Sequence, residues 1–143
     1  MVDPGAPNPL KAQRASGPIA CLVHAVVGPI LGHRMTLPPA LLERYPELAQ
    51  ARWRRGGLPV RIGGWCLGQR AVSAITLWHT IWLDTESSPS EELLLHEIRH
   101  VAQFEASAAF PLLYLWESLR RGYVRNRFEV DARAYAAARV RRT

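Results

Sequence analysis

The chain's 143 residues predict an α+β domain, a small antiparallel or mixed sheet followed by three helices. Two observations carry this expectation. Residues 71–83 alternate with a period of two and are rich in β-branched and aromatic side chains, the strand signal. From residue 88 onward, apolar residues recur instead at helical spacing, broken only at Phe110-Pro111 and at Gly122. Strands therefore come first and helices after.

The first eighteen residues are rich in Pro, Gly and Ala without apolar periodicity, and are expected to form a flexible leader ahead of one domain spanning 19–143. The apolar stretch Gly17–Gly32 is interrupted by Pro18, His24, Gly28 and Pro29. It is too broken for a membrane span, and no AxA-type cleavage site follows, so it is expected to open the core as a strand or short helix. Leu37-Pro38-Pro39 marks a helix start, with Ala40 to Arg52 continuing and Pro46 breaking or kinking the run. Gly56-Gly57 ends that segment, and Gly63-Gly64 separates two short strand candidates, Pro59–Ile62 and Trp65–Leu67. Ala71 to Leu83 is then one strand, or a hairpin turning at Trp78-His79.

Ser88-Pro89-Ser90-Glu91 resembles a capping box, with Ser88 as N-cap, Pro89 as first helical residue and Glu91 reaching back. The helix it opens runs to about Ala109. Its Leu94, Leu95, Ile98 and Val101 make it apolar nearly all round, so it is expected to be buried. The second C-terminal helix runs from Phe110-Pro111 to Arg121 and closes at Gly122. A third starts near Asn126 and continues to about Val140.

Within the first of these helices, His96-Glu97-Ile98-Arg99-His100 spells HExxH. The i,i+4 spacing puts both imidazoles on one face, where they can converge on one ion with a carboxylate alongside, the layout of a zinc hydrolase site. A plainer reading pairs Glu97 with a basic neighbour such as Arg99. Catalytic zinc takes three protein ligands and keeps one open position, and no histidine follows His100. Glu105, Glu117, Glu129 and Asp131 are the downstream carboxylates available. Glu105, five residues on, is rotated away, and Glu117 sits mid-helix. Glu129 and Asp131 lie far enough along for a helix to go out and return. Glu129 is also spaced for a capping box with Asn126 and an ion pair with Arg133.

His96 to Gln103 with Gly122 to Ala132 resembles a group of small bacterial zincin-like metallopeptidase domains, whose pattern is HExxHxxQ followed by GYxxNxFExxA. The likeness covers roughly the last half of the chain, including the strands Ala74–Leu77 and Thr80–Leu83. At the turn between them this chain carries Trp78-His79, where glycine is common in such domains. The resemblance implies a zincin-like fold with Glu129 as third zinc ligand beside His96 and His100; Asp131 is the reserve ligand on spacing, or an acceptor for a histidine N–H. It implies hydrolysis of peptide or protein substrates by a zinc-activated water, with Glu97 as general base. Tyr123 and His79 are the candidate donors to the oxyanion.

A net charge of +6, with eight arginines between Arg120 and Arg142, supplies the competing expectation. In it, a non-catalytic module uses its basic C-terminal helices to bind nucleic acid or a protein partner. A zinc hydrolase acting on a non-peptide amide is a third reading. Cys21 and Cys66 stand far apart without a CxxC pair, so they are expected to be buried thiols, and the expected location is the cytoplasm.

Overall fold

The computed structural model describes residues 31–57, 59, 72–86 and 88–142. The leader, both cysteines and most of the expected strands at 59–62 and 65–67 lie outside the described residues. Four short strands form a mixed sheet: β1 (His33–Arg34), β2 (Arg52–Arg55), β3 (Ala74–Leu77) and β4 (Thr80–Leu83), in the order β1-β2-β4-β3. β2 runs parallel to β4, with Trp53 opposite Ile81, while the other two pairings are antiparallel. The alternating run thus forms a hairpin over 74–83, and among the described residues β3 lies at the edge of the sheet. Its turn places Trp78 at φ +56°, the left-handed region that non-glycine residues rarely adopt. The indole stacks on Phe104, with ring centroids 5.7 Å apart.

β2 was not expected. The helix beginning at Pro39 is only six residues long (α1, Pro39–Arg44), because Pro46 cannot continue it. A 3-10 turn over Pro46–Gln50 then delivers the chain into β2 instead of more helix. Trp53 is the strand's apolar anchor, buried with its indole N–H donating to the Leu48 carbonyl at 2.8 Å.

Three helices follow: α2 (Glu91–Ala106), α3 (Phe110–Arg121) and α4 (Arg127–Arg141). α2 starts later than expected, because Ser90 rather than Ser88 is its N-cap, its hydroxyl accepting from Leu93 N–H at 3.1 Å. That frame puts Glu91 and Glu92 in the first turn, beside the positive end of the helix dipole. Glu91 is held by Arg44 and Tyr45 and closes no capping box. The helix also ends earlier, at Ala106. Leu94, Leu95, Ile98 and Val101 pack with Tyr45, Leu48, Ile81 and Leu83 in the main core. α4 returns across α2, where Ala132 and Ala136, both fully buried, have side chains small enough for close approach of the two helices.

α3 closes at Gly122, whose φ of +74° suits glycine and whose N–H bonds to the Ser118 carbonyl. Asn126 then caps α4 by accepting from Phe128 N–H, and its amide nitrogen donates to the Tyr114 carbonyl and Ser118 Oγ. This fully buried side chain ties α3 to the start of α4 and fixes where Glu129, one turn into α4, can point. No helix among the described residues is long and apolar enough to cross a membrane.

Candidate metal centre

His96, Glu97 and His100 lie on the face of α2 turned toward β3 and the first turn of α4, and Glu129 meets them from α4. Nε2 of His96 and Nε2 of His100 are 3.2 Å apart. One Glu129 oxygen lies 3.3 Å from the first and the other 3.2 Å from the second. Donors held by a tetrahedral ion at zinc–nitrogen bond lengths are spaced about 3.3 Å apart. Among the described residues, His96, His100 and Glu129 form the group of His, Cys, Asp or Glu side chains able to grip one ion.

The donor chemistry fits a cation as well. Gln103 donates through its amide nitrogen to the Phe128 carbonyl (3.1 Å) and to Asp131 (2.8 Å), both acceptors, which fixes its amide orientation. Its Oε1 therefore faces Nδ1 of His100 at 2.8 Å, so Nδ1 donates to it and Nε2 is the ring nitrogen turned toward the cluster, where its lone pair can serve a cation once that nitrogen releases its proton. On Glu129, Oε1 accepts from the Tyr114 hydroxyl at 2.7 Å, while Oε2 is buried without a hydrogen bond. That oxygen has only ion-pair contacts, to His96 Nε2 at 3.3 Å and to the Arg133 guanidinium at 3.8 Å, and a bound cation would satisfy it more fully.

The electrostatics follow from burial opposed by charge. Burial alone would push the Glu129 carboxyl up, but the imidazoles of His100 and His96 and the Tyr114 hydroxyl hold it far below the usual carboxylate range. Burial likewise disfavours a charged His100, yet Glu129 and Glu97 outweigh it and raise that imidazole above its ordinary value. Burial and the Glu129 carboxylate push the Tyr114 and Tyr123 hydroxyls well up, so both remain protonated donors.

Glu97 is buried on the same face and accepts from the Thr76 hydroxyl of β3 at 2.6 Å. Arg99 is not its partner. That guanidinium pairs with Asp131 (2.7 Å), which in turn supports Gln103, so Asp131 lies one bond beyond the histidine it was expected to touch. Two cavities of about 390 and 410 Å³ adjoin His96, Glu97 and Tyr123. The first is largely apolar, between β3 and α3, with Leu77, Phe104, Phe110 and Leu115 in its wall. Arg133 and Glu92 help line the second. His79 turns toward Glu105 (3.5 Å) and lines neither cavity. Glu117 is buried and paired with Arg121 away from the cluster.

Thr76 and Tyr114 are participants that the sequence does not point to, and Gln103, the last residue of the HExxHxxQ pattern, takes a role that the pattern alone does not assign. Gln103 had a signal, since i,i+3 from His100 puts it on the same helical face. Thr76 and Tyr114 depend on how β3 and α3 dock, which local spacing does not report. Comparison with protein-family models, with curated proteins and with solved structures finds no match.

Proposed function

We propose that this protein is a zinc-dependent metallopeptidase of zincin-like type, with His96, His100 and Glu129 as the metal ligands. The observation that carries the reading is the convergence of three mostly buried donors whose ligand atoms lie within 4.8 Å of one another, with the Glu97 carboxylate beside the two histidines on their helix. Zinc held there supplies a Lewis acid that acidifies a water and polarises a peptide carbonyl. Glu97 is suited to take the water proton and pass it to the leaving amine, and Thr76 orients its carboxylate for that task. Tyr123, kept protonated beside the cluster, is the candidate hydrogen-bond donor to the oxyanion. The two cavities meeting at Glu97 provide room for substrate on either side of the scissile bond.

The basic C-terminal helices give less support to a nucleic-acid module. Arg121, Arg133 and Arg139 are engaged with Glu117, Glu129 and Glu47. The test is metal analysis of the purified full chain together with hydrolysis of a fluorogenic peptide library. Glu129→Ala is expected to lose the metal. Glu97→Gln is expected to keep it while turnover drops by about 10²-fold or more. Metal retained without Glu129 would overturn the ligand set, and activity retained without Glu97 would overturn the mechanism.

A further inference from the structure

α3 is amphipathic in the inverted sense. Its inward face carries Phe110, Tyr114 and Glu117, and Leu112, Leu115, Trp116 and Leu119 point outward at i, i+3, i+4 and i+7. Leu112 is 73 % exposed and Leu119 76 %, and Val124, just past Gly122, continues the patch. The helix cannot roll to bury these side chains. Phe110 is packed edge-on against Phe104 and Phe128, and the Tyr114 hydroxyl is bonded to Glu129, so rotation would dismantle the metal cluster. A continuous apolar face of this kind on a surface helix marks a docking site.

Charge identifies the occupant. Between residues 107 and 128 the chain has four arginines (120, 121, 125 and 127), all exposed, and one acid, Glu117, which is buried. A second copy meeting this face across a two-fold axis would bring four more arginines and no exposed acid to pair with them. An anionic bilayer surface satisfies both features, since leucine and tryptophan enter the headgroup boundary while the arginines meet lipid phosphates. Twelve residues of helix span about 18 Å, too short for a hydrocarbon core of about 30 Å, so the helix would lie along the interface.

We propose that α3 and the turn after it dock this protein on anionic lipid surfaces. Leu115 belongs both to this face and to the wall of the apolar cavity beside the His–His–Glu cluster, so docking brings that cavity to the lipid boundary. The proposal does not depend on peptidase activity.

The test is co-sedimentation of the full chain with vesicles of phosphatidylcholine alone or mixed with phosphatidylglycerol, at low and high salt. Binding to the mixed vesicles, weakened by salt, is expected. Leu112→Ser and Leu119→Ser should each weaken it about tenfold, and Arg120→Gln with Arg125→Gln should weaken it further. Both leucines are exposed, so unchanged circular dichroism and metal content verify that these variants fold. No binding to the mixed vesicles overturns the proposal. So does binding that responds to the arginine variants and ignores the leucine ones, which is charge adsorption alone. A concentration-dependent dimer abolished by the leucine variants, without vesicle binding, would assign the face to a second copy. Capture by an acidic polypeptide in place of vesicles would assign it to a protein partner.

Discussion

Replacing Gln103 with leucine tests whether the proposed metal centre is oriented from behind or merely assembled by its ligands. Gln103 is buried and makes three hydrogen bonds: it accepts from His100 Nδ1 and donates to the Phe128 carbonyl and to Asp131. A neutral hydrogen bond contributes about 0.5–1.5 kcal/mol net and one to a charged group about 1.5–3 kcal/mol. The Asp131 side chain is 44 % exposed and keeps Arg99, so water recovers much of the charged component. The metal-free stability loss is therefore about 2 kcal/mol, read as a lower urea midpoint in chelator. The effect on the metal is separate. Without its acceptor the His100 ring is free to change tautomer and orientation, and losing such a partner costs about 10–100-fold in affinity.

Gln103→Glu separates the two effects. A carboxylate still accepts from Nδ1 of His100 but places a second negative charge beside Asp131. It should thus bind zinc more tightly than the leucine variant while being no more stable. Competition against a chromophoric chelator measures the affinities. Leucine and wild-type chains binding zinc equally would refute the orienting role assigned to Gln103.

Asn126→Ala removes a fully buried N-cap and two donated hydrogen bonds, so it should destabilise the fold by about 2–4 kcal/mol in urea titration and loosen metal binding through Glu129. Chelation of the wild-type chain should lower its thermal midpoint, since free metal at a hundredfold over its dissociation constant contributes about 2.7 kcal/mol; Glu129→Ala should show no such response in calorimetry. Acid stability supplies another check: burial pushes Glu47 up, but the Arg139 guanidinium, 2.7 Å away, holds it below its ordinary value. That contribution is whole above the unfolded carboxylate value, about 4.3, and is lost as pH falls through the lowered folded value. Arg139→Gln should consequently flatten the acid limb of a stability–pH curve measured in chelator, and an unchanged limb would refute the pairing.

Where periodicity and local stops decide structure, the sequence was informative. HExxH predicted the pairing of His96 with His100 because helix geometry alone brings i and i+4 together. Pro46, Gly122 and Asn126 marked real boundaries for the same reason, each acting on its own backbone. β2 escaped because Arg-Trp-Arg-Arg offers one apolar residue, and its identity as a strand comes from parallel pairing with β4 more than twenty residues away. The capping serine at the head of α2 was misjudged by two residues because both serines fit the local pattern. Tertiary contacts from Arg44 and Tyr45 to Glu91 accompany the later start. Tyr114 escaped for the opposite reason. On α3 the leucine stripe faces outward, so placing the core on the most apolar face would turn that hydroxyl away from Glu129.

Each group in the cluster is held by a different part of the fold. β3 orients Glu97 through Thr76, the end of α2 orients His100 through Gln103, and α3 supports Glu129 through Tyr114. Asn126 fixes the frame of α4 from which Glu129 projects, and Asp131, one turn of contact further on, locks Gln103 against the same helix. The motif on α2 supplies reactive atoms, and the packing of the surrounding elements determines their directions. That division explains the inverted face of α3. Its inward positions are committed to Phe110, Tyr114 and Glu117, and the roll that brings Tyr114 to Glu129 necessarily turns Leu112, Trp116 and Leu119 toward solvent. Orientation of the His–His–Glu cluster and exposure of the arginine-flanked apolar face are thus two consequences of one helix rotation.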